Sequence, residues 1–155
     1  TYMSPERVYD DILYCISLGA KGIYFREDNF TVVNKRVESL CNMLLENNIS
    51  IKWACETRVD TIDERLVKLM AESGCIGLYI GVEHLSQRML DIFNKRVTVE
   101  QIIKCFEWAH KYKISTAASL IRNHPEETIG DRELLADRLS IIRPTMYWAN
   151  EFRYE

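Results

Sequence analysis

The chain has 155 residues, 47% hydrophobic and 28% charged, which suits one globular domain with a sizeable core. A formal net charge of −3 at pH 7 gives no footprint for nucleic acid, and charged residues recur too often for a membrane span. Five scattered cysteines (Cys15, Cys41, Cys55, Cys75 and Cys105) form no CxxC cluster, and no signal-peptide pattern opens the chain, so the expectation is a cytoplasmic protein with free thiols.

Ser4-Pro5-Glu6 reads as a helix start, with Ser as the cap and Pro at the first helical position. Val8, Ile12, Cys15 and Ile16 then share one face, and Gly19 ends the helix. Gly22 to Phe25 is a short apolar strand that runs into Arg26-Glu27-Asp28-Asn29. Val37, Leu40, Cys41, Leu44 and Leu45 make the stripe of the next helix, closed by Asn47-Asn48. Ile49 to Cys55 is a second strand, followed by Glu56-Thr57-Arg58. Thr61 and Glu64 have capping-box spacing for a helix with Ile62, Leu66, Leu69 and Met70 inward, and Gly74 closes it.

Gly74 to Glu83, GCIGLYIGVE, is the central strand. Its apolar run is dense enough to suggest a parallel strand covered on both faces. Two readings compete for Glu83 at its end, a solvated or capping acid and a buried ligand contact. A short helix around Met89, Leu90 and Phe93 follows, then a helix opened by a Thr98/Gln101 capping box. Ser115 to Ile121 is a fourth strand, ending in Arg122-Asn123-His124-Pro125. Thr128 and Asp131 begin the last helix, and Thr145 to Ala149 forms a fifth strand leading to Asn150 and Glu151.

Alternating helices and strands at this spacing predict successive right-handed βαβ units, with helices on one side of a curved parallel sheet. An open doubly wound sheet and a segment of a barrel both fit, whereas a complete eight-fold barrel needs about 250 residues. Every strand ends in polar residues, and parallel strands bring such ends to one mouth. That assembly suits a zwitterion with ribose hydroxyls, although loops are polar for many reasons. No GxGxxG or GxxxxGK[ST] occurs, and His84, His110 and His124 lack metal-ligand spacing.

The stretches SPERVYDDI, GIYFREDNFTVVNKRV, IKWACETRVD, LVKLMAESGCIGLYIGVEHLSQRML, NKRVTVEQI and HPEETIGD, in this order, resemble the radical S-adenosylmethionine (SAM) enzymes. The resemblance is greatest to the cobalamin-domain-associated group that includes magnesium-protoporphyrin IX monomethyl ester oxidative cyclase-like proteins. It implies an α/β fold, a segment of a partial (β/α)6 TIM-type barrel comprising everything after the first strand, with residues 1–155 one piece of a longer protein. By position, Glu27 and Asp28 would lie near the methionyl amine, Glu83 would contact SAM from the family's G-[IV]-E pattern, and Arg58, in Arg58-Val59-Asp60, would face SAM or substrate. Asn123 begins Asn123-His124-Pro125-Glu126-Glu127-Thr128, which stands where the family has G-L-P-G-E-T, at a strand whose backbone approaches the adenine. Leu85 likewise replaces a glycine of G-[IV]-E-S-G.

Family members hold a [4Fe–4S] cluster through CxxxCxxC just before SPE-type segments, and this sequence begins about where that loop would end. None of the five cysteines supplies the spacing. The cofactors implied are SAM, a [4Fe–4S] cluster whose ligands lie outside these residues, and cobalamin through a separate domain. The cluster would cleave SAM reductively to a 5′-deoxyadenosyl radical that abstracts hydrogen from a small-molecule substrate, with neither nucleic acid nor membrane as partner. Two other functions remain open, a non-catalytic fragment that self-associates through an uncovered sheet edge, and an unrelated α/β barrel enzyme that binds a small molecule.

Overall fold

Ser4 opens the first helix by accepting a hydrogen bond from the Arg7 N–H, with Pro5 where no N–H is needed. This is the first element of a computed structural model that describes residues 2–153. The order is α1 (Pro5–Ser17), β1 (Gly22–Phe25), α2 (Asn34–Glu46), β2 (Lys52–Thr57), a 3-10 turn (Val59–Thr61) and α3 (Glu64–Glu72). Then come β3 (Cys75–Glu83), α4 (Gln87–Ile92), α5 (Val99–Lys111), β4 (Ser115–Arg122), α6 (Ile129–Ile142) and β5 (Met146–Glu151). The five strands lie side by side in chain order and every pairing is parallel. The expected α/β architecture is therefore the one observed.

The helices cover one face of the sheet. Trp53 and Cys55 of β2, Leu78, Ile80 and Val82 of β3, and Ala118 and Leu120 of β4 are buried on that side. They join one core with Leu40 and Leu44 of α2, Leu66 and Met70 of α3, and Ile102 and Phe106 of α5. The opposite face is open, so β3 is not covered on both sides as its apolar density suggests. Its burial alternates, Ile76 is 48% exposed, and Gly77, Tyr79, Gly81 and Glu83 are half-buried. Gly77, Tyr79 and Gly81 stand on that side, and the glycines leave a shallow floor where large aliphatics would fill it.

The turns follow from local chemistry. Gly74 holds φ +104°, and a Cβ there would lie 2.2 Å from the Ile51 carbonyl oxygen, so this tight entry to β3 requires glycine. Thr98/Gln101 and Thr128/Asp131 both form reciprocal capping boxes. Thr61/Glu64 does not. Asp63 caps α3 instead, its carboxylate accepting from the Leu66 N–H at 2.7 Å. Thr61 is drawn into a hydroxyl knot with Thr31 (2.7 Å), which in turn meets Thr57 at 2.5 Å. Asn29 Oδ1 accepts from both Thr31 (3.1 Å) and Thr61 (3.0 Å). The knot ties the loop after β1 to the loop after β2.

Candidate functional site

The C-terminal ends of the strands surround a cleft of about 520 Å³ on the open face. Asp28 and Asn29 enter it from the loop after β1, Glu56 and Arg58 from β2 and its loop, and Tyr79, Gly81 and Glu83 from β3. Lys95, from the loop after α4, Ser119 of β4 and Trp148 of β5 complete the wall, with Tyr24 opposite. Three carboxylates and two cations therefore share one hollow, of a size typical for small-molecule sites.

Glu83 owes its place to an unusual backbone. Its φ is +64°, and the His84 N–H bonds the Val82 carbonyl at 2.9 Å, which closes a three-residue γ-turn centred on Glu83. A left-handed non-glycine residue costs about 1–2 kcal/mol, and such strain persists where the surroundings over-determine it. The turn breaks the register with β4 between Gly81 and Glu83. It leaves the Glu83 carboxylate in the cleft, where Oε1 accepts from Lys95 Nζ at 2.9 Å. Gly81 makes room for that pair, because a Cβ there would stand 3.1 Å from Glu83 Oε1 and 3.2 Å from Lys95 Nζ.

The same turn drives His84 inward. The residue is fully buried, its Nδ1 accepts from the Ser86 N–H at 2.9 Å, and its Nε2 meets Glu127 at 3.3 Å. With Nδ1 accepting, Nε2 carries the proton and donates to the carboxylate. Burial pulls the His84 pKa down, against the opposing pull of Glu127, so the imidazole is neutral at pH 7. Glu127 also accepts from the Asn123 N–H (2.8 Å) and Arg132 Nε (3.2 Å). Next to it, Asp131 accepts from Ser86, Thr128 and Arg88. Two carboxylates thus pin the loop after β4 behind the Glu83 turn.

Of the five residues singled out from the sequence, Asp28, Arg58 and Glu83 meet in the cleft. Asp28 is exposed and makes no hydrogen bond or ion pair to the described residues. Arg58 is held by Asp60 through Nε (2.9 Å) and one terminal nitrogen (2.8 Å), and those bonds raise the pKa of Arg58 and lower that of Asp60. Glu27 lies outside the cleft. Arg36 takes both its oxygens, at 2.8 and 2.6 Å, and stacks over Phe30, so this pair fastens α2 to the end of β1. Asn123 is also absent from the lining, and its contribution is backbone geometry. It holds φ +61° where the family pattern has glycine, a conformation asparagine tolerates better than most residues.

The sequence reading missed Lys95, Tyr24, Tyr79, Ser119 and Trp148. Period-2 alternation from Glu83 back through Gly81 would have placed Tyr79 on its face. Tyr24 Oη donates to Glu56 at 2.8 Å, and desolvation, then that bond, push the phenol up to about 12. The cysteines serve the core. Cys41, Cys55, Cys75 and Cys105 are buried, Cys15 is half-buried, and burial pushes Cys41 and Cys105 up to about 12. Among the described residues no group of three or more His, Cys, Asp or Glu side chains is arranged to hold a metal ion, so these cysteines do not fit a [4Fe–4S] cluster. No helix among the described residues is long and apolar enough to cross a membrane.

Fold and cleft together define a parallel β/α barrel segment with a charged cleft at the carboxyl ends of its strands. The chain belongs to the Radical SAM superfamily, whose family profile matches residues 1–139. It is 32% identical over 126 residues to an uncharacterized methyltransferase of Pyrococcus horikoshii, covering 81% of this chain and 28% of that protein. It is 29% identical over 127 residues to an anaerobic magnesium-protoporphyrin IX monomethyl ester cyclase of Rubrivivax gelatinosus, covering 80% of this chain and 23% of the relative. The chain thus spans about a quarter of the length of these two curated relatives. In fold it is similar to the radical SAM methyltransferase TsrM from Kitasatospora setae, solved with cobalamin and a [4Fe–4S] cluster bound (TM-score 0.85, 15% identity, 96% of this chain and 31% of that one). It is similar as well to the cobalamin-dependent enzyme OxsB, solved with aqua-cobalamin and SAM (TM-score 0.76, 21% identity, 88% of this chain and 22% of that one).

Proposed function

We propose that residues 1–155 are the SAM-binding barrel segment of a cytoplasmic radical SAM enzyme, of the methyltransferase or oxidative-cyclase kind, acting on a small molecule. One observation carries this: Asp28, Glu83, Arg58 and Lys95 converge on one cleft, two anions facing two cations. SAM presents the complementary set, an amine and sulfonium, a carboxylate and ribose hydroxyls. Asp28 and the free oxygen of Glu83 suit the amine, and the remaining N–H groups of Lys95 and Arg58 suit the carboxylate. The hydroxyl knot at Thr31 holds the loops that bring Asp28 and Arg58 into register, and the Glu83 γ-turn fixes its carboxylate in advance of ligand. Tyr79 and Trp148 restrict water on the floor. When bound together with a [4Fe–4S] cluster held by residues outside this chain, SAM supplies the radical chemistry, and the barrel orients and shields.

The test is a SAM titration of the wild-type chain and Glu83→Gln, paired with thermal melts. Hydrogen bonds to charged groups are worth about 1.5–3 kcal/mol, so affinity should fall about tenfold or more. The glutamine keeps an acceptor for Lys95, so the melting temperature should fall by less than about 4 °C, the shift roughly 1 kcal/mol gives at this size. Equal SAM affinity in the two proteins rejects the assignment.

A further inference from the structure

We propose that His84 is a positioning residue for the cleft, and that its bond to Glu127 holds the γ-turn that aims the Glu83 carboxylate. This deepens the function proposed above and rests on it for the ligand. His84 is not among the residues that line the cleft. Its side chain is 0% exposed and that of Glu127 is 1% exposed, so the pair meets inside the protein behind the Glu83 turn.

A buried histidine is ordinarily a packing residue. A hydrocarbon ring fills the same volume without desolvating an imidazole and a carboxylate, so filling alone does not account for this pair. Both ring nitrogens are instead used in fixed directions. Nδ1 takes the Ser86 N–H at 2.9 Å, a tie that spans two residues and moves with the chain. Nε2 meets Glu127, 43 residues on, at 3.3 Å. Glu127 is itself fixed, since its other oxygen accepts from the Asn123 N–H and from Arg132 Nε. The His84–Glu127 bond therefore joins the turn to a loop that is already held.

Separate ties hold the chain beyond the turn. Arg138 donates to the Leu85 carbonyl, and the Ser86 hydroxyl donates to Asp131. Residues 85 and 86 thus stay on α6 whether or not His84 is bonded, and losing the His84 bond loosens the turn without freeing the segment. At the turn, φ +64° at Glu83 is sustained by the His84 N–H bond to Val82, the Lys95 ion pair and the Glu127 tie. Lys95 is assigned to the ligand as well, which leaves the Glu127 tie as the side-chain bond the ligand does not draw on. Without it the backbone returns toward negative φ, and the Glu83 Cα–Cβ bond turns with it. Left-handed strain of this kind corresponds to about 5–30-fold in population. The apparent affinity falls with the competent fraction.

Three variants separate the two ring bonds. His84→Phe removes both. His84→Asn keeps an acceptor near Nδ1 for Ser86 and falls short of Glu127, whereas His84→Gln reaches Glu127 with its amide N–H and gives up Ser86. In SAM titrations of the 155-residue chain, His84→Phe and His84→Asn should bind about 5–30-fold more weakly than the wild type, and His84→Gln within about threefold of it. Hydrogen exchange of the residue-84 amide, read by NMR against the Ile80 amide of the same strand, separates opening of the turn from global unfolding. Relative to Ile80 it should be about fivefold faster or more in His84→Phe and His84→Asn than in the wild type and His84→Gln. Wild-type affinity in His84→Asn or His84→Phe, or failure of His84→Gln to restore it, overturns the proposal, as does a residue-84 amide that exchanges alike in all four proteins. Should His84→Phe not fold, His84→Asn carries the same comparison. Absence of SAM binding in the wild type, with the exchange pattern intact, sinks the SAM assignment and not the positioning role. Equal SAM affinity in all four proteins does the reverse.

Discussion

Asp131→Asn probes the clamp behind the Glu83 turn. The Asp131 side chain is 5% exposed. Its Oδ1 accepts from Ser86 Oγ at 2.5 Å, and its Oδ2 accepts from the Thr128 N–H (2.9 Å), the Thr128 hydroxyl (2.6 Å) and Arg88. Asparagine keeps one carbonyl for Thr128, and the Ser86 hydroxyl can rotate to accept from the new amide, so the loss is that of charge rather than of shape. Weakening a capping box costs about 1 kcal/mol, and a buried charge-assisted bond contributes a comparable amount beyond a neutral one. The sum is about 2 kcal/mol, or roughly 4–8 °C in melting temperature for a domain of this size. The sign of the pH dependence follows from the carboxyl, which Arg88 first, then Ser86 and Thr128, hold well below the usual carboxylate range. A folded-state pKa below the unfolded value gives stability that is complete above about pH 4 and fades as pH falls further. Circular-dichroism melts of both proteins should therefore show a gap that shrinks by about 1 kcal/mol between pH 5 and pH 3. A variant as stable as the wild type at pH 7, or a gap constant over that range, would refute the clamp.

Two further outcomes follow from the backbone. Gly74→Ala should cost about 3 kcal/mol or more in urea unfolding, since it combines φ +104° with a Cβ 2.2 Å from the Ile51 carbonyl, and a loss under 1 kcal/mol would show that the turn relaxes freely. β1 pairs only with β2 among the described residues, and Met3, Val8, Ile12, Ile23 and Phe25 line an apolar groove beside it. Sedimentation of the 155-residue chain at micromolar concentration should show dimers or larger species. A clean monomer whose residue 22–25 amides exchange slowly contradicts this.

The strands were legible because each is a short apolar run between turn signals, and runs read at 22–25, 74–83 and 115–121 became Gly22–Phe25, Cys75–Glu83 and Ser115–Arg122. What the apolar run could not reveal was the open face, since Ile76 and Tyr79 count as apolar whether or not anything covers them. The site was half legible. Asp28, Arg58 and Glu83 stand at strand ends, where parallel topology gathers polar groups. Glu27 has the same position in sequence and a different fate, because Arg36, nine residues on in the first turn of α2, takes both its oxygens. His84 reads as a mouth residue and becomes a core one, since the γ-turn at Glu83 reverses its direction. Lys95 comes to Glu83 from the loop beyond α4, a tertiary contact with no local spacing to signal it. Thr61 lost its capping role to Asp63 because the hydroxyl knot offered it two partners, Asn29 and Thr31, from the loop after β1.

A crystal structure of the chain grown with SAM tests the central claim most directly. The account predicts the ligand in the cleft at the strand ends, its amino group within hydrogen-bond distance of Asp28 or Glu83 and its carboxylate on Lys95 or Arg58. SAM bound elsewhere, or in the cleft with those four side chains untouched, would contradict it.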